Sequence, residues 1–375
     1  MKNIITFIKK ETVLTVAFLL AVISAFLIIP DREYIGYIDW NTLLLLYSLM
    51  AIMAGLQQLG VFRRIGSSLL SKINSTRQML LILIFLPFFF SMLITNDVAL
   101  ITFVPFGIVV LRMAKQENLV LPLVVMQTIA ANLGSMLTPM GNPQNLYLYA
   151  QSGMSPLDFI LLMLPYTAVA ALCLFIASFF IKSEHITELL SGDAENEHFD
   201  SRLCICYVAG FLICLLCVAK LLPPIVAAVV ISVFLLIKNR SILKKIDYSL
   251  LGTFIFFFIF IGNMGRIESF CRFLNGILSG HEKIVAVLSS QIISNVPAAL
   301  LLSGFSDNWR ALIIGTNLGG LGTLIASMAS LISYKQVAAE YPERKGRYLL
   351  LFTAANVVML GVLLMLPSSA SVMVL

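Results

Sequence analysis

Apolar residues in this chain run in long blocks, and the polar positions that interrupt them are few and grouped. An α-helix needs about 20 apolar residues to cross a bilayer. The blocks at 12–29, 43–59, 79–111, 119–149, 159–181, 203–218, 224–237, 250–261, 284–302, 312–334 and 348–366 are read as helical segments of that kind. Two of them, 79–111 and 119–149, are too long for one plain helix. The centre of the first reads Ser91-Met92-Leu93-Ile94-Thr95-Asn96-Asp97-Val98-Ala99-Leu100, and the pattern returns in the other half as Gln291-Ile292-Ile293-Ser294-Asn295-Val296-Pro297-Ala298. A polar cluster inside an apolar block, once per half, points to a site built by an internal repeat.

Composition fixes the class. The 375 residues are 59% hydrophobic and only 12% charged, against about 25% charged in soluble domains, and the mean hydropathy is +0.97. This is the composition of a polytopic helical membrane protein, since lipid admits only segments that satisfy their own backbone hydrogen bonds. The net charge of +6 does not signal nucleic acid, because Lys and Arg collect at the ends of apolar blocks, where they set orientation. Lys2, Lys9 and Lys10 place the N-terminus in the cytoplasm of a cell with this protein in its plasma or inner membrane. The block after them is too long for a signal sequence and reads as a first anchor. The six cysteines lie in or beside apolar blocks and imply no disulfide framework.

Arg77 on one side, and Arg112 and Lys115 on the other, draw both ends of 79–111 to the cytoplasm. The block is therefore drawn as a hairpin that dips in and returns; a fully crossing pair is the alternative. In 119–149 the middle reads Asn132-Leu133-Gly134-Ser135-Met136-Leu137-Thr138-Pro139-Met140-Gly141-Asn142-Pro143-Gln144-Asn145. Two prolines and two glycines so close break a helix, and broken backbone survives at membrane depth only where it lines a protein cavity. The hydrophilic stretch 183–202 reads as a linker between half 1–182, with a hairpin at about 79–112 and a broken helix at about 119–150, and half 203–375, with a hairpin at about 284–304 and a broken helix at about 310–334. Asn132-Leu133-Gly134 is echoed by Asn317-Leu318-Gly319, and Thr95-Asn96 by Ser294-Asn295, with opposite membrane orientation expected from the loop charges. Inverted repeats with discontinuous helices are a design of secondary transporters.

Asp97 is the acidic residue placed well inside an apolar block, where an ionised carboxylate costs several kcal/mol unless protonated, paired or hydrated. It fits a proton carrier or a cation ligand, with a helix cap as the structural alternative. With no basic partner in sight, its neighbours are expected among the hydroxyls and amides of the second cluster. Asn96, Asn295, Thr95 and Ser294 at the tips sit beside helix termini that attract anions, and carbonyls at the breaks near Gly134 and Gly319 offer hard oxygen ligands to Na⁺. The first broken segment adds Thr138, Asn142 and Asn145; its partner has Gly319, Gly320 and Gly322 followed by Thr323 and Ser327, without a proline. Connectors 62–77 and 266–283 alternate basic or polar with apolar residues and read as amphipathic interfacial helices or as solvated loops. Cys214 and Cys217 read as packing. No triad, metal signature or phosphate loop supports an enzyme, and no cofactor is expected beyond H⁺ or Na⁺ as coupling ion.

These residues carry a resemblance. Thr95-Asn96-Asp97, Thr138-Pro139-Met140-Gly141-Asn142-Pro143-Gln144-Asn145, Ser294-Asn295-Val296-Pro297 and Asn317-Leu318-Gly319-Gly320 resemble the ion transporter superfamily of arsenite permeases, Na⁺/H⁺ antiporters, citrate transporters and divalent-anion/Na⁺ symporters. The resemblance implies an all-α fold with two re-entrant hairpins and two discontinuous helices, a homodimer, and elevator-type movement. It implies substrate binding by Thr95, Asn96, Thr138, Pro139, Asn142, Asn145, Ser294, Asn295, Asn317, Thr323 and Ser327. The coupling ion or proton falls to Asp97, Asn96, Gly134, Ser294, Asn295 and Gly319. Dicarboxylate symporters carry Ser-Asn-Thr at both tips; Asp97 and Val296 in the third positions, and the missing second Thr-Pro, tilt this chain toward the arsenite-permease and antiporter side. A secondary transporter of a small anion or oxyacid is the first expectation, a Na⁺/H⁺ antiporter the second, and an intramembrane enzyme or assembly factor the third.

Overall fold

Several helix starts in this chain are set by side chains that accept orphaned backbone N–H groups. The Asp39 and Asp247 carboxylates accept the amides of Thr42 and Leu250 at 3.1 and 2.9 Å, and Ser155 with Asp158 forms a reciprocal capping box. The computed structural model describes residues 11–70, 73–181, 184 and 200–367. Lys2, Lys9, Lys10 and most of the 183–202 linker lie outside the described residues.

The described residues fold into helices joined by short connections. In the first half these are α1 (Thr12–Leu27), α2 (Glu33–Tyr37), α3 (Trp40–Gln58), α4 (Val61–Leu70), α5 (Thr76–Phe90), α6 (Asn96–Met113), α7 (Val120–Ser135), α8 (Pro143–Ser152) and α9 (Pro156–Phe179). The second half has α10 (Ser201–Val218), α11 (Pro224–Lys238), α12 (Tyr248–Gly265), α13 (Glu268–Leu278), α14 (Glu282–Ile293), α15 (Asn295–Ser303), α16 (Trp309–Leu318), α17 (Met328–Glu340) and α18 (Lys345–Leu364). Among the described residues seven helical segments are long and apolar enough to cross a membrane, α6 and α7 included; α1, α5 and α11 are apolar but shorter. Phe180, Ile205, Val229, Leu350 and Val358 leave large apolar side chains exposed, a surface suited to lipid rather than water.

One group of helices packs α1 on α12 and α3 on both α10 and α11. In the other, α5 and α6 pack on each other and on α7, while α14 and α15 pack on α16. The halves interlock there, because α8 packs on α15 and α16, and α17 packs on α6 and α7. Connectors 62–77 and 266–283 contain helices rather than loops alone. In α4 the buried residues Phe62, Gly66 and Leu70 recur at one-turn spacing, as do Leu274 and Leu278 in α13. Cys214 and Cys217 are buried free thiols in α10.

Candidate functional site

The first polar cluster forms the bend between α5 and α6. Thr95 has extended backbone (φ −47°, ψ 152°), which turns the chain before α6 begins at Asn96. The Asn96 amide donates to the Gly141 carbonyl at 3.1 Å, and its side-chain oxygen accepts the Asp97 amide at 3.0 Å. Helix α7 stops at Ser135, and α8 starts behind Asn142, whose Oδ1 accepts the Asn145 amide at 2.9 Å. Between them Thr138 Oγ1 donates to the Met92 carbonyl, tying the break to the bend. Pro139, in the same stretch, has no N–H to continue a helix. At Gly134 a Cβ would lie 2.0 Å from the Phe88 carbonyl oxygen, so only glycine lets α7 approach α5 here.

The second cluster is tighter. A single residue, Ser294, separates α14 from α15, and its backbone is at φ 73°, ψ 155°, a region open essentially to glycine alone. The Asn295 amide donates to the Ala326 carbonyl at 3.0 Å. Helix α16 ends at Leu318 and α17 begins behind Ser327, so the segment without a proline is broken as well. Thr323 Oγ1 donates to the Gln291 carbonyl at 3.1 Å. Thr323 itself is exposed, away from the buried asparagines.

Two asparagines reach across between the halves. Asn132 Oδ1 accepts from Asn96 Nδ2 at 3.0 Å and from Ser327 Oγ at 3.1 Å, while its Nδ2 donates to Ser330 Oγ at 3.4 Å. Asn317 Oδ1 accepts from Asn142 Nδ2 at 3.2 Å, and Asn317 Nδ2 donates to Asn145 Oδ1 at 2.6 Å. These bonds form two buried sets, Asn96 with Asn132 and Ser327, and Asn142 with Asn145 and Asn317. Ser135 joins the two: its Oγ accepts from Asn142 Nδ2 at 3.2 Å and donates to the Asn132 carbonyl at 2.9 Å. Asn295 joins through its backbone to the carbonyl beside Ser327. Asn96, Asn142, Asn295 and Ser327 stand at the N-termini of α6, α8, α15 and α17, and the positive ends of those helix dipoles favour negative charge.

Asp97 departs from the surroundings expected of it. It does not cap α6, since Asn96 accepts its amide and Thr95 makes no capping bond. Its carboxylate makes no hydrogen bond or ion pair with any described residue. Instead of the second cluster it faces a cavity of about 150 Å³ shared with Thr95, Gln57, Asn142, Lys245 and Asp247. A larger cavity of about 450 Å³ lies at the other end of α3, lined by Asn41, Thr42, Tyr149 and Lys220; Leu146 of α8 borders both. Lys220 Nζ donates to the Met154 carbonyl at 3.3 Å and stands 5.0 Å from the centre of the Tyr149 ring.

Sequence reading missed Gln127, Asn132, Gln291 and Ser330 as site residues. Gln127 is fully buried, and its Nε2 donates to the carbonyls of Leu83 in α5 and Phe103 in α6 at 2.9 and 3.0 Å, stapling both arms to α7. An uncharged amide in an apolar block was the available signal. Among the described residues no group of three His, Cys, Asp or Glu could hold a metal ion.

Residues 4–306 match the model of the family described as citrate transporter. The chain is similar to an uncharacterized transporter of Methanocaldococcus jannaschii, 34% identical over 325 residues (86% of this chain and 88% of that one). It is similar to the inner membrane protein YbiR of Escherichia coli, 27% identical over 316 residues, or 84% of each chain. A shorter likeness joins it to the silicon efflux transporter LSI3 of rice, 32% identical over 141 residues (37% of this chain and 28% of that one).

Proposed function

Because the chain belongs to the citrate transporter family, a family of membrane transporters and not of enzymes, we propose that it is a secondary active transporter moving a small anion or oxyacid, coupled to H⁺ or Na⁺. A citrate transporter family and a silicon efflux relative keep the cargo class this broad. The observation that carries the proposal is the Asp97 carboxylate, which bonds no described residue and faces a cavity also lined by the N-terminal residues of α6 and α8. The N-termini suit an anion; the carboxylate suits the coupling cation or proton.

The hydrogen bonds support an inverted repeat. Asn132 bonds Ser327 and Ser330, while Asn317 bonds Asn142 and Asn145; 132 to 317, 142 to 327 and 145 to 330 keep one offset. At that offset the carbonyl acceptors of the two tip amides, Gly141 and Ala326, also correspond. So do Thr138 and Thr323, each donating to the carbonyl of the residue four before its tip asparagine. On this reading the hairpins and broken helices of halves 1–182 and 203–375 move as an elevator against α1, α3 and α10–α12. The protein works as a homodimer in the plasma membrane, with its N-terminus cytoplasmic.

A Na⁺/H⁺ antiporter is the second reading, favoured because no described basic residue forms an ion pair with Asp97 although Lys245 lines the same cavity. Purified protein in liposomes, with an internal pH dye and an imposed Na⁺ gradient, separates the two. Flux that begins only when an anion such as citrate or silicate is added supports the anion transporter. Na⁺-driven proton movement without an anion supports the antiporter, and silence in every condition contradicts both.

A further inference from the structure

The coupling ion is open between H⁺ and Na⁺ above, and a side chain outside that argument bears on it. Gln291, on the last turn of α14, is half-buried beside the second break. Its Nε2 lies 2.9 Å from the Gly319 carbonyl, 2.9 Å from the Leu321 carbonyl and 3.2 Å from the Val287 carbonyl. Three carbonyl oxygens thus converge on one –NH₂ group. Its Oε1 accepts the Thr323 amide at 2.9 Å, and because an N–H can meet only an acceptor, that bond fixes which end of the side chain faces the carbonyls. The place is shaped for this side chain: at Gly322, with φ 105°, a Cβ would stand 2.3 Å from Gln291 Oε1.

The first break holds a looser amide–carbonyl cluster, built on a position the repeat does not pair with Gln291. Asn145 Nδ2 faces the carbonyls of Ser135, Met136 and Thr138 at 3.4, 3.5 and 3.3 Å, and Asn145 Oδ1 is held by Asn317 Nδ2. Unwound backbone frees the Gly319 and Leu321 carbonyls at one break, and those of Ser135, Met136 and Thr138 at the other, which need a positive partner in a low-dielectric site; the Val287 carbonyl lies within α14. A ring of carbonyls can supply that partner by replacing the hydration shell of a bound cation. Here the polarised hydrogens of two neutral amides take that role.

We infer that the Gln291 and Asn145 amides occupy the carbonyl cages at the two breaks in place of Na⁺, so that transport runs on H⁺ rather than Na⁺. This rests on the transporter reading, with Asp97 as the carboxylate left to take the proton. Gln291 is then a specificity-determining residue: removing its amide vacates the tighter cage for a monovalent cation.

The test reads Na⁺ binding without requiring flux. Detergent-purified wild type, Gln291→Ala and Gln291→Glu are melted in NaCl, KCl and choline chloride at equal ionic strength. A ligand that binds only the folded state raises the melting temperature. Wild type should melt alike in all three salts, whereas Gln291→Ala should gain several degrees in NaCl alone. Gln291→Glu, which keeps the side-chain volume and aims a carboxylate at the carbonyls, should gain more. A Na⁺-specific rise in wild type overturns the inference; Na⁺-indifferent melting of both folded variants overturns the role of Gln291. In liposomes, wild-type flux under a fixed pH gradient should be equal in the three salts, and a wild-type requirement for Na⁺ contradicts H⁺ coupling. Absence of any flux contradicts the transporter reading while leaving the melting result standing.

Discussion

The two hairpin tips share a backbone hydrogen bond and differ in charge and strain. Each presents an asparagine whose amide donates to a carbonyl of the adjacent broken segment, Gly141 in one case and Ala326 in the other. At the first tip a relaxed Thr95 precedes Asp97, and the carboxylate borders a cavity. At the second a strained Ser294 precedes Val296, which is 6% exposed. Repetition therefore preserves what positions the tips, while the charge is confined to one of them. A second buried carboxylate would add a second desolvation cost without a partner to offset it.

Moving the charge breaks the comparison most severely. Val296→Asp should destabilise the protein by about 3 kcal/mol, read as a lower unfolding midpoint in detergent; an unchanged midpoint would mean that the second tip tolerates a carboxylate as well as the first. Next come the two crossing asparagines. Asn317→Leu strands Asn145 Oδ1, and Asn132→Leu strands Asn96 Nδ2, so each should cost roughly 1–3 kcal/mol. A large loss in one variant and none in the other would show that the halves are not equivalent in energy.

Strain gives a smaller effect of opposite sign. Ser294→Gly removes a side chain from a backbone region that costs about 1–3 kcal/mol, so the melting temperature should rise. Thr95→Gly only loosens the unfolded chain and should lower it. Smallest of all is the pH dependence of an exposed ion pair outside the spans. Asp31 accepts from Arg266 Nη1 at 2.6 Å, and this hydrogen bond holds the Asp31 carboxyl below its ordinary range. A folded-state pKa below the unfolded one stabilises above the ordinary carboxylate range, and that contribution disappears as pH falls through the lowered value. Melting curves of wild type and Asp31→Asn should therefore converge on acidification, with a small difference at neutral pH because the pair is solvent-screened.

Much of this was legible in the chain. The tips announced themselves because Asn, Thr and Asp are costly inside apolar blocks, and the first break because Pro139, Gly141 and Pro143 cannot continue a helix. The second break was written only in Gly319, Gly320 and Gly322, which serve close packing equally well. Gln127 and Gln291 were overlooked because a neutral amide in an apolar helix ordinarily bonds a neighbour, and their carbonyl partners are set by tertiary packing. The surroundings of Asp97 were misjudged for the same reason: Lys245 and Asp247 precede α12 and reach its cavity through the packing of α3, which no local pattern encodes.

The most direct test of Asp97 as the coupling residue is gradient-driven flux in liposomes, wild type against Asp97→Asn, with melting curves run on the same preparations. The carboxylate makes no hydrogen bond or ion pair with any described residue, so the variant should melt within a few degrees of wild type. Its flux should fall to that of empty liposomes. A folded Asp97→Asn protein with undiminished gradient-driven flux would contradict the assignment and move the coupling site elsewhere.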